Sequence, residues 1–120
     1  MDDLNEKLEK LYKEGNGDYH GVLGRMRTPE RVAKFLGFFA QDPSYETLRT
    51  SVESADWDNA FRAAHTLKGV ASDMGFAELS TAASNVTEEF RAQRYEEGVL
   101  LMPLVDEYYK LAVDAIAANL

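Results

Sequence analysis

Apolar residues recur along this chain at helical spacing. Leu4, Leu8 and Leu11 with Tyr12 form an i, i+4, i+7 stripe on a short charged helix that Gly15-Asn16-Gly17 stops. Asp18 caps a second short helix, whose Tyr19, Val22, Leu23 and Met26 pack inward and which ends before Thr28. Thr28-Pro29 starts another, with the threonine as N-cap and the proline where its missing N–H does no harm; Val32, Phe35, Leu36 and Phe39 are its inward side. Asp42-Pro43 repeats the start signal, so this run continues, kinked or restarted, through Leu48 and Val52 to Ser54. Asp56 then caps a helix whose Trp57, Ala60, Phe61, Ala64, Leu67, Ala71 and Met74 fall on one stripe. Gly75 ends it with no room for a long loop, so the helix carrying Leu79, Ala82, Ala83, Val86 and Phe90 must turn back against it. After a polar turn around Gln93 to Gly98, the last segment presents Leu101, Leu104, Val105, Tyr108, Leu111, Ala112 and Ile116, with Pro103 marking a kink or a helical first turn. No stretch alternates with period two and no repeat recurs. The predicted fold is all-α: a single domain in which an antiparallel four-helix bundle over residues 28–120 follows short accessory helices in residues 1–27.

Composition narrows the function. At 120 residues and 45% apolar content the chain can bury a real core. A formal charge of −8 argues against nucleic acid and anionic membrane as partners, since both would repel this surface. The absence of cysteine excludes disulfides, thiol catalysis and thiolate-bound metals. The start, Met-Asp-Asp-Leu-Asn-Glu, has neither the basic region nor the apolar run of a signal peptide, and no apolar stretch approaches the roughly 18 residues needed to span a bilayer. A cytoplasmic protein is expected.

The candidate chemistry lies on the helix that begins at Trp57. Wound at about 100° per residue, His65 falls off the apolar stripe and shares a solvent-facing strip with Asp58, Arg62, Gly69 and Ser72, with cations at Arg62 and Lys68 on either side. Gly69 is the odd residue, because a glycine inside a helix costs about 1 kcal/mol relative to alanine and needs a compensating reason. Close approach by another molecule is the simplest one. Arg62 either contacts that molecule or pairs with Asp58. Elsewhere the patterns are blander. Two histidines far apart make no metal site, so His20 reads as a surface residue. Gly15, Gly17, Gly21 and Gly24 miss the dinucleotide-binding spacing, and Asn85-Val86-Thr87, a glycosylation pattern, lies inside a predicted helix.

His65-Thr-Leu-Lys68-Gly69, followed by Gly75 and Leu79, resembles the H-x-L-K-G…G…L signature of histidine-containing phosphotransfer (HPt) domains, which carry a phosphoryl group between receiver domains. The resemblance implies that His65 is the phosphorylated histidine, Lys68 the cation that steadies the phosphoryl oxygens, and Gly69 the gap through which a receiver approaches; Arg62 and Ser72, on the same strip, are the further candidate partner contacts. One position departs: Thr87 stands where many members carry glutamate. The implied protein is a monomeric phosphoryl carrier rather than an autonomous catalyst, with receivers and a hybrid histidine kinase as partners. It needs no cofactor of its own, Mg²⁺ coming with the receiver. The rival reading is a helical adaptor that docks on a receiver or kinase through the same face without accepting phosphate.

Overall fold

The computed structural model describes residues 3–120, and among them finds eight helices and no strand: α1 (Asp3–Glu14), α2 (Tyr19–Met26), α3 (Pro29–Gln41), α4 (Ser44–Glu53), α5 (Trp57–Asp73), α6 (Ala77–Arg91), α7 (Tyr95–Leu100) and α8 (Met102–Asn119). The starts follow the predicted caps. Asp18, Thr28 and Asp56 accept the backbone N–H of Gly21, Arg31 and Asn59 respectively. At Asp42-Pro43 the chain restarts rather than kinks: α3 stops at Gln41, and Asp42 Oδ1 accepts the Ser44 N–H at 2.8 Å. Pro103 sits in the first turn of α8.

The helices share one core. α5 and α6 form an antiparallel hairpin, in which the Ser80 hydroxyl donates to the Lys68 carbonyl at 3.0 Å near the turn while Phe90 packs on Trp57 at the far end. α4 covers the other flank of α5, and α8 packs on α6 and α1. A polar clasp joins α4 to α8: Tyr45 OH donates to Asp106 Oδ1 at 2.6 Å, Arg49 Nη1 donates to Asp106 Oδ2 at 3.1 Å, and the Tyr45 and Tyr109 rings stack at 3.9 Å. The N-terminal helices contribute Leu8, Leu11, Tyr12, Tyr19 and Val22 to the same core.

Several inward assignments shift. Phe35, Leu104 and Leu111 lie on predicted inward stripes but are exposed, because each stands at the edge of its stripe where no neighbouring helix reaches. The segment read as a polar turn contains α7. Tyr95 stacks on Trp57 at 4.7 Å, and Gly98 is buried because the Phe90 ring occupies the space a Cβ would need. Thr87 is buried as well, its hydroxyl donating to the Ala83 carbonyl at 2.7 Å, so the residue that departs from the signature faces the core and not a partner.

Tyr12 is buried between the rings of Tyr19 and Phe76, and its hydroxyl has no hydrogen-bond partner within the protein among the described residues. Burial pushes this phenol above its ordinary range. The folded state thus prefers the neutral ring, and the associated stability is complete below about pH 10 and declines at higher pH, where only the unfolded chain releases the proton readily. Tyr12→Phe should raise the unfolding free energy by about 1 kcal/mol at pH 7 and lessen the alkaline decline. Urea titrations at pH 7 and above pH 10 measure both; a less stable variant would mean that the hydroxyl is hydrogen-bonded in solution.

Candidate functional site

α5 buries a face made largely of alanine. Ala60, Ala63, Ala64, Leu67 and Ala71 are all inside, so α4 and α6 approach closely and leave the opposite face as a ridge between them. His65, Arg62, Gly69 and Ser72 are exposed on that ridge and Lys68 is half-buried, so the structure brings all five predicted site residues together on one face. Lys68 leans to the α6 side, where Ser80 holds its carbonyl. Arg62 Nη1 donates to Asn59 Oδ1 at 3.4 Å rather than pairing with Asp58. Neither Arg62 nor Lys68 is ion-paired with a carboxylate among the described residues, which leaves two cations flanking the imidazole.

Two residues join the site that helical spacing did not reveal. Phe61, assigned to the core stripe, is only half-buried; its ring lies nearly parallel to the His65 imidazole, at 11° and 6.3 Å between centroids. Arg91 of α6 places its guanidinium carbon 4.9 Å from the centre of the same ring. The α6 flank of the imidazole is therefore filled by an aromatic ring carrying a third cation, and Arg91 is also paired with Glu88 at 3.3 Å. Phe61 could have been flagged as an i−4 neighbour of His65. Arg91 could not, since it arrives from another helix.

The other flank is open. A Cβ built on Gly69 would meet no atom within 4 Å, so no packing inside the protein requires glycine there. Gly75 is different. It ends α5 at φ 77°, with its N–H donating to the Ser72 carbonyl and the Phe76 N–H to that of Ala71, a Schellman turn. α1, α4 and α6 end through similar left-handed residues, yet theirs are Asn16, Ala55 and Gln93. The reason for glycine at 75 is close packing by α2: a Cβ there would lie 2.8 Å from the Asp18 carbonyl oxygen, and Asp18 N–H donates to the Gly75 carbonyl at 2.9 Å.

His20 is exposed beside Tyr19, far along the chain from His65. Among the described residues no group of three His, Asp or Glu side chains is placed to hold a metal, and no helix is long and apolar enough to cross a membrane.

An all-α bundle that lifts one solvent-facing imidazole onto a ridge between two cations defines a helical histidine-presenting module. The Hpt domain family profile matches residues 38–119, more than half of the chain, and the protein belongs to that family. Membership gives it a phosphotransfer-related role in two-component signalling, in a family whose partners are receiver domains and kinases. No curated protein and no solved structure shows a significant match to the chain.

The two glycines of the signature should part company on substitution. Gly69→Ala should raise the unfolding free energy by up to about 1 kcal/mol by removing backbone freedom from the unfolded state. Gly75→Ala should lower it by roughly 2–4 kcal/mol, from left-handed strain plus the collision with Asp18. Thermal and urea unfolding of both variants check the contrast; a loss of stability at Gly69 comparable to that at Gly75 would make both packing glycines.

Proposed function

We propose that the protein is a phosphorelay intermediate that accepts a phosphoryl group on His65 from a receiver's aspartyl phosphate and passes it to the aspartate of another receiver. The observation that carries this reading is the pairing of an exposed imidazole with a glycine one turn away that nothing inside the protein requires. A neutral imidazole is a competent nucleophile near pH 7. Its unprotonated ring nitrogen attacks the phosphorus in line; the P–N bond forms as the P–O bond to the aspartate breaks, and the carboxylate leaves with the bonding electrons. Transfer to the second receiver reverses these steps. Charge on the equatorial oxygens of the loose transition state is met by the Lys68 ammonium, which no carboxylate neutralises among the described residues. Arg62 and Ser72 are exposed on the ridge where the receiver's rim would sit. Mg²⁺ and the acidic pocket that holds it belong to the receiver, because this chain offers neither a phosphate-binding loop nor a carboxylate cluster among the described residues. The domain works as half of an active site, as a monomer in the cytoplasm.

That division of labour sets the outcome of each labelling experiment. Mixed with Mg²⁺ and a radiolabelled phospho-receiver, the protein should acquire an acid-labile, alkali-stable label, and His65→Gln should remain folded and acquire none. A helical adaptor would bind and stay unlabelled, and labelling of the folded variant would remove His65 from the role. Lys68→Ala should slow uptake by about ten- to a thousandfold with the histidine still competent, and Gly69→Ala should slow it by crowding the receiver. Incubation with Mg²⁺ and ATP alone should give no label; self-labelling would overturn the half-site account.

A further inference from the structure

On its α4 side, α5 borders a polar cleft of about 220 Å³. Asn59, Arg62, Ala63 and Thr66, at i, i+3, i+4 and i+7, form the α5 wall, and Ser44 and Thr47 in the first turn of α4 form the facing one. Ser44 is only 7% exposed, and its hydroxyl makes no hydrogen bond among the described residues. The Tyr12 hydroxyl is the one buried side-chain group among those residues that is both sealed and unpaired, so the Ser44 hydroxyl is reached from outside, through the cleft that it lines. The hydroxyls of Thr47 and Thr66 are unbonded as well. A threonine or serine inside a helix commonly returns its hydroxyl to a carbonyl one turn back, as Thr50, Ser54 and Thr87 do. Arg62 is the one charged residue in either wall. Its Nη1 donates to Asn59 Oδ1 at 3.4 Å, and the Asn59 amide donates in turn to Asp56 Oδ2 at 2.7 Å, which draws the guanidinium along this wall. The neighbouring carboxylates are placed elsewhere: Asp42 accepts the Ser44 N–H at 2.8 Å, Asp56 holds Asn59, and Glu46 and Asp58 lie outside the lining. The cleft therefore offers a positive charge and free hydroxyl donors with no carboxylate in its walls.

We propose that this cleft is a second anion site, which binds a small phosphate-type oxyanion whether or not His65 accepts a phosphoryl group. The Arg62 guanidinium supplies the charge, and the hydroxyls of Ser44, Thr47 and Thr66 donate to the oxygens of an ion that carries acceptors in every direction. A cation finds no counter-charge in these walls, and an apolar ligand would strand three hydroxyls. The size excludes a nucleotide: the cleft is below the roughly 300–1,000 Å³ typical of sites for larger organic ligands. Nor does the overall charge of −8 forbid the ion, since exposed charges farther than about 8 Å are largely screened. The site is distinct from the centre of the ridge, because Lys68 leans to the α6 side of α5. Arg62, three residues before His65, belongs to both. Occupied, the cleft withdraws one of the two unpaired cations that flank the imidazole.

Inorganic phosphate is the probe. Titrated into nitrogen-15-labelled protein at constant ionic strength, with chloride as the exchanged anion, it should give saturable shifts at the backbone amides of Thr47 and Thr66 and at the Arg62 Nε–H. Ser44→Ala and Arg62→Gln should each raise the dissociation constant at least about fivefold, and the spectrum of each variant shows directly that it is folded. Lys68→Gln should leave the constant within about twofold, which separates the cleft from phosphate held at the ridge. A parallel titration with glycerol phosphate distinguishes the source of the anion: tighter saturation assigns the cleft to phosphate esters, and equal or weaker saturation to the free ion. Shifts that rise without saturating, shifts that chloride alone reproduces, unchanged affinity in the Ser44 variant, or a loss in the Lys68 variant equal to that in the Arg62 variant would overturn the proposal.

Discussion

The alanine face of α5 is the constraint on which the rest of the structure depends. A helix that must be covered on both flanks and still show one face to solvent needs neighbours close to its axis, and close approach needs small side chains. Ala60, Ala63, Ala64 and Ala71 supply them, with Leu67 as the one large residue inserted between α4 and α6. The result is a ridge whose backbone cannot tilt without opening voids on two sides. An imidazole carried on such a helix is placed by packing rather than by a loop, as the proposed phosphoacceptor role requires of a side chain that a partner must find in a fixed position.

The turn after α5 extends that rigidity to the N-terminal helices. Through Gly75 the backbone of α2 comes near enough for the Asp18 N–H to bond the turn's carbonyl, and Arg25 reaches the carbonyls that end α5, where a cation is favoured by the helix dipole. Phe76, just past the turn, packs against Tyr12 and Phe39. Helices that read in the sequence as additions thus close the end of the hairpin.

Legibility followed the range of the interactions involved. The caps at Asp18, Thr28 and Asp56 and the ridge around His65 were readable because each depends on residues within one or two turns of a helix. Phe61 packs against the core as its stripe position implies, but it lies at the boundary of that stripe, and periodicity does not tell how far a neighbour covers a boundary residue. Phe35, at a similar boundary of its own stripe, is left exposed. α7 was hidden because its buried member is a glycine, whose role is to leave room for Phe90, and a residue that contributes space has no hydrophobic signature. Arg91 and the Asp106 clasp join positions far apart in sequence, and no spacing rule connects them.

Charge follows the same local logic. The chain as a whole carries −8, which would repel an acidic, phosphorylated partner if the charges were uniformly felt. They are not, since at physiological ionic strength exposed charges are screened over about 8 Å. What an incoming phosphoryl group meets within that distance is the ridge, where Arg62 and Lys68 are unpaired by carboxylates and Arg91 stands over Phe61. An extended polyanion would have to spread beyond the ridge onto the acidic remainder to reach the same cations. A compact anion can be met by the ridge cations alone, which is the electrostatic requirement of the proposed phosphoryl transfer.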